Sequence, residues 1–425
     1  MSAEILIIGT EILLGQIVDT NAAFIAEQLA AAGVDVYFKT VVGDNEGRIE
    51  TALRQALERS DFVIAAGGLG PTEDDLTRSV FARVLGRPLT LNEELLEKIR
   101  KRFASRGLAM TPNNEKQALV PQHAIILDNP RGTAPGLFMK GGAKGEKVVV
   151  AMPGVPSEMK PMLTDQVIPL LQERMGKVSI IKSRVIKTCG IGESRVDDLI
   201  GDLFRESRNP SLALLAYPSE VHIRITAKAE SKEAAERMIS ELEGQIRERV
   251  GEWIYGRDQQ SMEEIVGFLL GVHGKTLVVA ESCTGGLVCN LLTNIPGSSR
   301  YFERGVISYS NRAKEELLEV SLFVLERFGA VSPQVAEAMA LGVRRMSGAD
   351  LGLAVTGIAG PEGGSPEKPV GLVYVALAWD GGVKSREYRF FEGRLANKRR
   401  SSLMALEMVR RHLVGLPLDE SASRR

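Results

Sequence analysis

Histidine and cysteine are scarce in this chain, which has four histidines and three cysteines among its 425 residues. The histidines are scattered without His-x-x-x-His spacing, and no two cysteines form a Cys-x-x-Cys pair. Three cysteines are also too few for a disulfide framework in a chain of this length, which is typical of a reducing compartment. We therefore expect a cytoplasmic protein whose chemistry uses neither a histidine base nor a His/Cys zinc site.

Neither sign of charge is in excess, because 53 lysines and arginines are balanced by 54 aspartates and glutamates, giving a net charge of −1. Such a chain has no long-range attraction for nucleic acid or for an anionic bilayer, which disfavours a DNA-coating role. No apolar run approaches the about 18–20 residues of a membrane helix, and Glu4 stands where a signal peptide would be basic. We expect neither a membrane nor a nucleic-acid partner.

Hydrophobic residues make up 44% of the chain, enough for large buried cores, and the length predicts two or three domains at about 150 residues each. Residues 1–175 alternate short β-branched segments with periodic helical segments, which predicts an α/β domain with a parallel sheet and ligands beyond the carboxyl ends of its strands. Residues 176–256 predict a small α+β unit, and residues 257–425 predict a second α/β domain. The tail 419–425 is expected to be a frayed terminus.

A turn between a buried apolar strand and a helix carries Ser282, Thr284, Gly285 and Gly286. The first backbone N–H groups of a helix are unpaired and electropositive, so they can hold a phosphate or a developing oxyanion. The two glycines let a ligand approach the backbone closely. The turn is therefore a candidate catalytic site with Ser282 as a possible nucleophile, and the alternative is that Ser282 or Thr284 only caps the helix.

A second polar group follows the predicted strand at 304–309, with Tyr309 at its end and Asn311 and Lys314 after it. A lysine that loses its proton through partial burial, beside a tyrosine hydroxyl, can activate a serine that has no histidine. The alternative is that Lys314 is an ordinary solvated surface lysine.

A third strand ends at Thr356 and leads into a loop with four glycines between positions 357 and 364, among them Gly357, Gly360 and Gly363. Such a loop exposes its backbone and suits the wrapping of an anion. A plain surface hairpin is the alternative.

These three segments resemble the carboxy-terminal domain of the CinA (competence/damage-inducible) family over residues 260–415. The resemblance rests on Glu-Ser-Cys-Thr-Gly-Gly, on Ser-Tyr-Ser-Asn followed by Lys, and on Val-Thr-Gly-Ile-Ala-Gly-Pro-Glu-Gly-Gly. It implies an amidase that converts nicotinamide mononucleotide to nicotinate mononucleotide and ammonia without a cofactor. It also implies Ser282 as nucleophile, Tyr309 and Lys314 as its activating partners, and Thr356 with the glycine loop as substrate contacts.

Cations occur near the start of the last predicted helix, at Arg394 and within 397–400. They could neutralise a substrate phosphate or be solvated. Since Glu392-Gly393-Arg394 departs from the Gly-Asp-Arg usual in the family, we favour Arg399 as the phosphate ligand.

In the first domain, a glycine turn with Gly68 and Gly70 is followed by Thr72 and a helix, which predicts a phosphate cradle. Asn114 and Thr133 are further candidates for the same pocket.

Carboxylates accompany this turn, with Glu11, Asp74 and Asp75 expected at the same edge of the sheet. Acids next to a phosphate make sense chiefly when a divalent cation of the magnesium, manganese or cobalt type bridges them. The sequence therefore predicts a metal site on these three residues. The alternative is that Asp74 and Asp75 only stabilise the helix start.

Residues 3–175 resemble the amino-terminal domain of the same family, which is similar to molybdopterin-binding MoaB/MogA domains. The resemblance implies a metal-dependent pyrophosphatase that hydrolyses ADP-ribose to AMP and ribose 5-phosphate, and it implies a homodimer. The middle unit resembles the KH-type domain of long family members, but its loop 190–193 lacks the basic Gly-x-x-Gly that clamps RNA, which indicates a spacer or subunit contact. The alternatives are a non-enzymatic binding protein for competence or recombination, and a first domain that only binds a pterin.

Overall fold

The computed structural model describes residues 1–142, 145–176 and 180–418. The predicted frayed tail at 419–425 lies outside the described residues. The chain divides into two compact units, Met1–Lys182 with Ala227–Met238, and Ser183–Thr226 with Ile239–Arg425. Within the described ranges, no helix is long and apolar enough to span a bilayer.

The amino-terminal domain is built on one large sheet. Its strands are β1 (Ser2–Ile8), β2 (Asp35–Val42), β3 (Phe62–Ala66), β4 (Leu89–Leu91), β5 (Leu119–Pro121), β6 (Ile125–Leu127), β7 (Gly136–Gly141) and β8 (Lys147–Met152). Six of them form a sheet in the order β2-β1-β3-β8-β7-β6, and β4 pairs with β5 separately. The four neighbours β2, β1, β3 and β8 are parallel, as predicted, whereas β7 is antiparallel to both of its neighbours, β8 and β6.

Helices cover both faces of this sheet. They are α1 (Thr10–Leu13), α2 (Thr20–Ala31), α3 (Glu46–Arg59), α4 (Thr77–Val84), α5 (Glu93–Ser105), α6 (Pro156–Met162) and α7 (Ile168–Met175). Side chains alternate along β1, so that Ile5 and Ile7 pack into a core with Ile25 of α2, while Leu6 packs with Leu53 of α3 on the other face. Because both faces are covered, β3 is buried along its whole length.

A four-stranded sheet follows, in the order β10-β11-β9-β12. Its strands are β9 (Ile180–Cys189), β10 (Ser211–Tyr217), β11 (Glu220–Ala229) and β12 (Ile254–Arg257), with helices α8 (Glu193–Glu206) and α9 (Lys232–Val250). This confirms the predicted small α+β unit.

The carboxy-terminal domain has a second mixed sheet. Its strands are β13 (Leu277–Glu281), β14 (Phe302–Ile307), β15 (Leu351–Gly357), β16 (Leu372–Trp379) and β17 (Gly382–Arg389). Its helices are α10 (Met262–His273), α11 (Leu287–Thr293), α12 (Asn311–Leu318), α13 (Leu322–Phe328), α14 (Pro333–Ser347) and α15 (Arg394–Leu413). The order is β14-β13-β15-β16-β17, with β14, β13 and β15 parallel and the last two strands antiparallel. The multidomain α/β fold class is thus confirmed.

Candidate active site

The register of the carboxy-terminal sheet brings the three predicted segments to one edge. Glu281, the last residue of β13, is paired with Ile307 of β14 on one side and with Val355 of β15 on the other. Since these strands are parallel, the residues that follow them leave the sheet at the same edge. Ser282 therefore follows the central strand and lies between the ends of its two neighbours.

Lys314 lies against Ser282. It is the fourth residue of α12, which begins where the Ser310 hydroxyl accepts a hydrogen bond from a backbone N–H. The Lys314 side chain points inward and the residue is only 1% exposed. Its Nζ is 3.1 Å from Ser282 Oγ and 2.8 Å from the carbonyl oxygen of Ser308. Lys314 is therefore not a solvated surface lysine.

Burial also sets the charge of this amine. Loss of water around Lys314 lowers its pKa from 10.5 to about 8, because a buried ammonium loses hydration energy. No carboxylate in the described part of the chain forms an ion pair with it. A neutral Lys314 amine can accept the hydroxyl proton of Ser282.

The start of α11 is capped by Glu281, not by Ser282 or Thr284. The Glu281 side chain is fully buried. Its carboxylate accepts hydrogen bonds from the backbone N–H groups of Gly286 at 2.9 Å, Val288 at 3.2 Å and Cys289 at 2.8 Å. These amides were predicted to hold an anion, and this expectation needs correction because the carboxylate already occupies them.

The remaining part of the turn is tight and open to a ligand. Gly285 and Gly286 have φ angles of +61° and +92°, which only glycine adopts at low cost. The N–H of Gly285 donates to the carbonyl of Ser282 at 3.1 Å. For the N–H groups of Cys283 and Thr284 no acceptor is present among the described residues, so both are candidate donors for an oxyanion beside Ser282.

Tyr309 makes a different contact from the predicted one. The residue is 60% exposed, and its hydroxyl accepts a hydrogen bond from Arg394 at 3.1 Å. Its carbonyl oxygen, not its hydroxyl, accepts from Lys314 at 3.3 Å. Arg394 also donates to the carbonyl of Gly360 at 2.7 Å, so this arginine joins Tyr309 to the glycine loop.

Thr356 and the glycine loop lie beside the turn in mainly structural contacts. Thr356 is 1% exposed and its hydroxyl donates to the carbonyl of Ala330 at 2.7 Å. A Cβ on Gly357 would lie 2.7 Å from the carbonyl oxygen of Leu372, so this glycine permits close packing of β15 and β16. Gly360 and Gly363 both have φ angles of +88°, which explains why glycine occupies these loop positions.

Of the cations in α15, Lys398 lies beside the serine turn and Arg399 does not. A Cβ on Gly285 would lie 3.5 Å from the Nζ of Lys398. Arg399 is exposed and makes no hydrogen bond or ion pair with the residues the structure describes. Asn311, another predicted substrate contact, is exposed at the first position of α12.

The amino-terminal domain has a cavity of about 600 Å³ at the carboxyl ends of β1 and β3. Most of the residues predicted for this domain line it, namely Glu11, Gly68, Gly70, Asp74, Asp75 and Thr133. Thr72 and Asn114 are not among the lining residues. The Asn114 side chain is instead buried and hydrogen-bonded to Thr111 and Gln117.

Asp75 closes the glycine turn. Its carboxylate accepts from the N–H of Thr72 at 2.9 Å and from the Thr72 hydroxyl at 2.6 Å, and a Cβ on Gly70 would collide with it. The pKa of the exposed Asp74 is lowered, first by a hydrogen bond from Thr72. Helix α4 begins later, at Thr77, so Asp75 stabilises the loop and not the helix start.

The predicted metal site is not preformed. Glu11, Asp74 and Asp75 line one cavity, but no three His, Cys, Asp or Glu side chains in the described ranges converge closely enough to hold an ion. One carboxylate oxygen of Asp75 is also occupied by Thr72. These residues do not fit a cation held by the protein alone.

Comparison with known proteins decides the family. Residues 259–413 match the CinA C-terminal domain, residues 183–256 match the KH domain of the damage-inducible protein CinA, and residues 4–173 match the probable molybdopterin binding domain. A putative competence-damage inducible protein of Moorella thermoacetica is 50% identical over 97% of this chain and 99% of its own length. The chain belongs to the CinA family.

A second relative of similar length agrees with this assignment. A putative competence-damage inducible protein of Caldicellulosiruptor saccharolyticus is 47% identical over 97% of this chain and all of its own. A crystal structure of the protein CinA, described as of unknown function, from Thermoplasma acidophilum is 41% identical, covers 39% of this chain and 97% of that one, and has a TM-score of 0.36. None of these names states a reaction.

The sequence prediction for this CinA chain missed Glu281, and among the cations within 397–400 it favoured Arg399 over Lys398. Glu281 is the one acid in an otherwise apolar buried strand, and a buried carboxylate needs hydrogen-bond partners nearby. That signal could have identified it as the cap of the following turn. Lys398 had no comparable signal, because its position depends on the rotation of α15 about its axis.

Proposed function

We propose that this CinA protein hydrolyses the carboxamide of nicotinamide mononucleotide to nicotinate mononucleotide and ammonia, with Ser282 as nucleophile. The observation that carries the proposal is the buried amine of Lys314 at 3.1 Å from Ser282 Oγ. A serine needs such a base to attack an amide. The family resemblance supplies the substrate, and the contact between the two side chains supports the type of reaction.

In the proposed mechanism, neutral Lys314 accepts the proton of Ser282 while Oγ attacks the carboxamide carbon. A backbone N–H of Cys283 or Thr284 donates to the oxyanion that forms. The lysine ammonium then gives its proton to the departing amine, which leaves as ammonia, and an ester remains on Ser282. Water then attacks the ester carbon while Lys314 accepts a proton from it. The bond to Ser282 Oγ breaks as the lysine ammonium returns this proton to Oγ, and nicotinate mononucleotide leaves.

A base with a pKa of about 8 suits this task, since general bases work best near the pH at which the enzyme operates. The contact with the Ser308 carbonyl fixes the amine in place. Arg394 links Tyr309 to the glycine loop and would hold these two segments together.

The test is the release of ammonia from nicotinamide mononucleotide by the purified full chain, with free nicotinamide as a second substrate. We expect release from the nucleotide. If no ammonia forms, the amidase proposal fails. Salt-sensitive DNA binding in place of hydrolysis would support the alternative of a competence or recombination protein.

We also propose that the amino-terminal domain hydrolyses ADP-ribose to AMP and ribose 5-phosphate. The support is its cavity of about 600 Å³, within the about 300–1,000 Å³ range of small-molecule sites, with the glycine turn at Gly68 and Gly70 in its wall. AMP formation is measured with no metal and with magnesium, manganese or cobalt. If no condition gives AMP, the proposal fails and binding of a pterin remains the alternative.

A further inference from the structure

We infer that Lys398 binds the anionic group of the substrate, the phosphate of a phosphorylated carboxamide, on the open side of the turn that begins at Ser282. This inference rests on the proposed amidase function and deepens it. It assigns the phosphate to Lys398, one of the cations within 397–400, in place of the predicted Arg399.

The backbone N–H groups at the start of α11 are not available to an anion. In a turn between a strand and a helix, the free N–H groups of the helix normally receive the anion. Here Glu281 accepts hydrogen bonds from three of them. A phosphate at the same place would face a buried carboxylate, so the positive charge for it has to come from a side chain.

Arg394 and Arg400 are two other cations near the start of α15. Arg394 donates to the Gly360 carbonyl and to the Tyr309 hydroxyl. Arg400 forms an ion pair with Glu392 at 2.7 Å. These two guanidinium groups are already engaged.

Lys398 is different. It is half-buried, and no carboxylate in the described part of the chain forms an ion pair with its amine. The amine lies over Gly285, where the missing side chain leaves space that a Cβ would fill to within 3.5 Å of Nζ. A cation without a partner, above a backbone with no side chain, is suited to an incoming phosphate.

Ser282 and Gly285, over which the Lys398 amine lies, are close together. The N–H of Gly285 donates to the carbonyl of Ser282 at 3.1 Å, so the two residues are the ends of a single turn, with Cα atoms less than about 7 Å apart. The amine of Lys398 and the hydroxyl of Ser282 therefore lie at the same turn, where one ligand can contact both. In a pyridine mononucleotide the carboxamide and the phosphate are the two ends of the molecule.

The neighbouring Arg399 cannot take this place. Consecutive helical residues point about 100° apart around the axis, so when Lys398 faces the turn, Arg399 faces elsewhere, as its exposure shows. Substitution of the two residues in turn gives a matched pair of variants.

The experiment measures ammonia release from nicotinamide mononucleotide and from nicotinamide riboside, which lacks the phosphate, with the full chain and with Lys398→Gln, Lys398→Arg and Arg399→Gln. In Lys398→Gln we expect kcat/KM for the nucleotide to fall by about 10- to 100-fold, with the value for the riboside unchanged. Lys398→Arg should keep most of the preference for the nucleotide, and Arg399→Gln all of it. A wild-type preference in Lys398→Gln, or an equal loss on both substrates, would overturn the inference.

A binding measurement separates this inference from the proposed function. Calorimetric titration of Ser282→Ala with the nucleotide and with the riboside reports recognition without turnover. We expect tighter binding of the nucleotide, lost when Lys398→Gln is added. This result with a wild-type chain that releases no ammonia would refute the amidase alone, whereas equal affinities in Ser282→Ala with and without Lys398→Gln would refute the role of Lys398.

Discussion

The proposed reactivity of Ser282 depends on a neutral Lys314, which makes the rate of ammonia release depend on pH. Burial lowers the pKa of Lys314 from 10.5 to about 8. With the lower value about one molecule in ten carries the neutral amine at pH 7, against about three in ten thousand for an unperturbed lysine. The shift thus raises the reactive population at pH 7 by about 300-fold.

For nicotinamide mononucleotide, kcat/KM should therefore increase by about tenfold between pH 6 and 7 and by about fivefold between pH 7 and 8, and it should level off above about pH 9. Initial rates from pH 6 to 10 measure this. Lys314→Arg should lose activity at every pH, because a guanidinium stays charged. A profile that is flat between pH 6 and 9, or a Lys314→Arg protein with a rate close to that of the wild type, would refute the reasoning.

The same shift links stability to pH. Between pH 8 and 10.5 the folded chain binds fewer protons at Lys314 than the unfolded chain does, so stability increases with pH across this window. Below pH 8 both states are protonated, and the buried charge costs about 3 kcal/mol. The free energy of unfolding of the wild type, taken relative to that of Lys314→Met, should therefore increase between pH 8 and 10 in urea unfolding, because the comparison cancels the pH dependence of all other groups.

Three further substitutions test the contacts around this site and the cores. Glu281→Gln replaces one acceptor oxygen by an amide NH2 group, which cannot accept a hydrogen bond from the N–H groups of α11. In steady-state ammonia release, kcat should therefore fall by about 10- to 100-fold with KM little changed. An unchanged kcat in the folded protein would contradict this. A Cβ added in Gly68→Ala, at a φ of +66°, would collide with the Thr77 hydroxyl, whereas a Cβ added in Gly86→Ala, at a φ of +64°, meets nothing within 4 Å. Urea unfolding should therefore show a loss of about 1–2 kcal/mol for Gly86→Ala and a clearly larger loss for Gly68→Ala. Equal losses would be inconsistent with the structure. Arg410→Met removes the partner, at 2.6 Å, of the buried carboxylate of Glu407, and thermal unfolding should show a loss of about 3–5 kcal/mol that is partly restored when Glu407→Leu is added.

Strands and helices with strong periodicity could be predicted from the sequence within about two residues. The β-branched run at 61–67 predicts a strand, which is β3, Phe62–Ala66, and the helical periodicity at 45–59 predicts a helix, which is α3, Glu46–Arg59. Both are long or fully buried, so the apolar pattern alone determines them.

Other elements could not be predicted for physical reasons. Strand β17, Gly382–Arg389, is an edge strand with charged residues on its open face, so it lacks the apolar signal of a buried strand. Helix α13, Leu322–Phe328, is only seven residues long. The antiparallel pairing of β7 with β6 and β8 depends on contacts between separate segments, which no local sequence pattern indicates.

In the candidate site, the approach of Lys314 to Ser282 could be predicted because both residues follow neighbouring parallel strands. The positions of the Tyr309 hydroxyl and the Lys398 amine could not, because each depends on the direction of a single side chain. For the same reason the sequence could not show that Lys398, and not Arg399, lies beside the serine turn.

The most direct test of the central claim is ammonia release from nicotinamide mononucleotide by Ser282→Ala, with Ser401→Ala as the matched control. Ser401 is also a buried serine of this domain, but its hydroxyl donates to a carbonyl of its own helix at 2.6 Å. We predict that Ser282→Ala loses at least about 1,000-fold in kcat while Ser401→Ala stays active. A folded Ser282→Ala protein that releases ammonia at the wild-type rate would contradict the account.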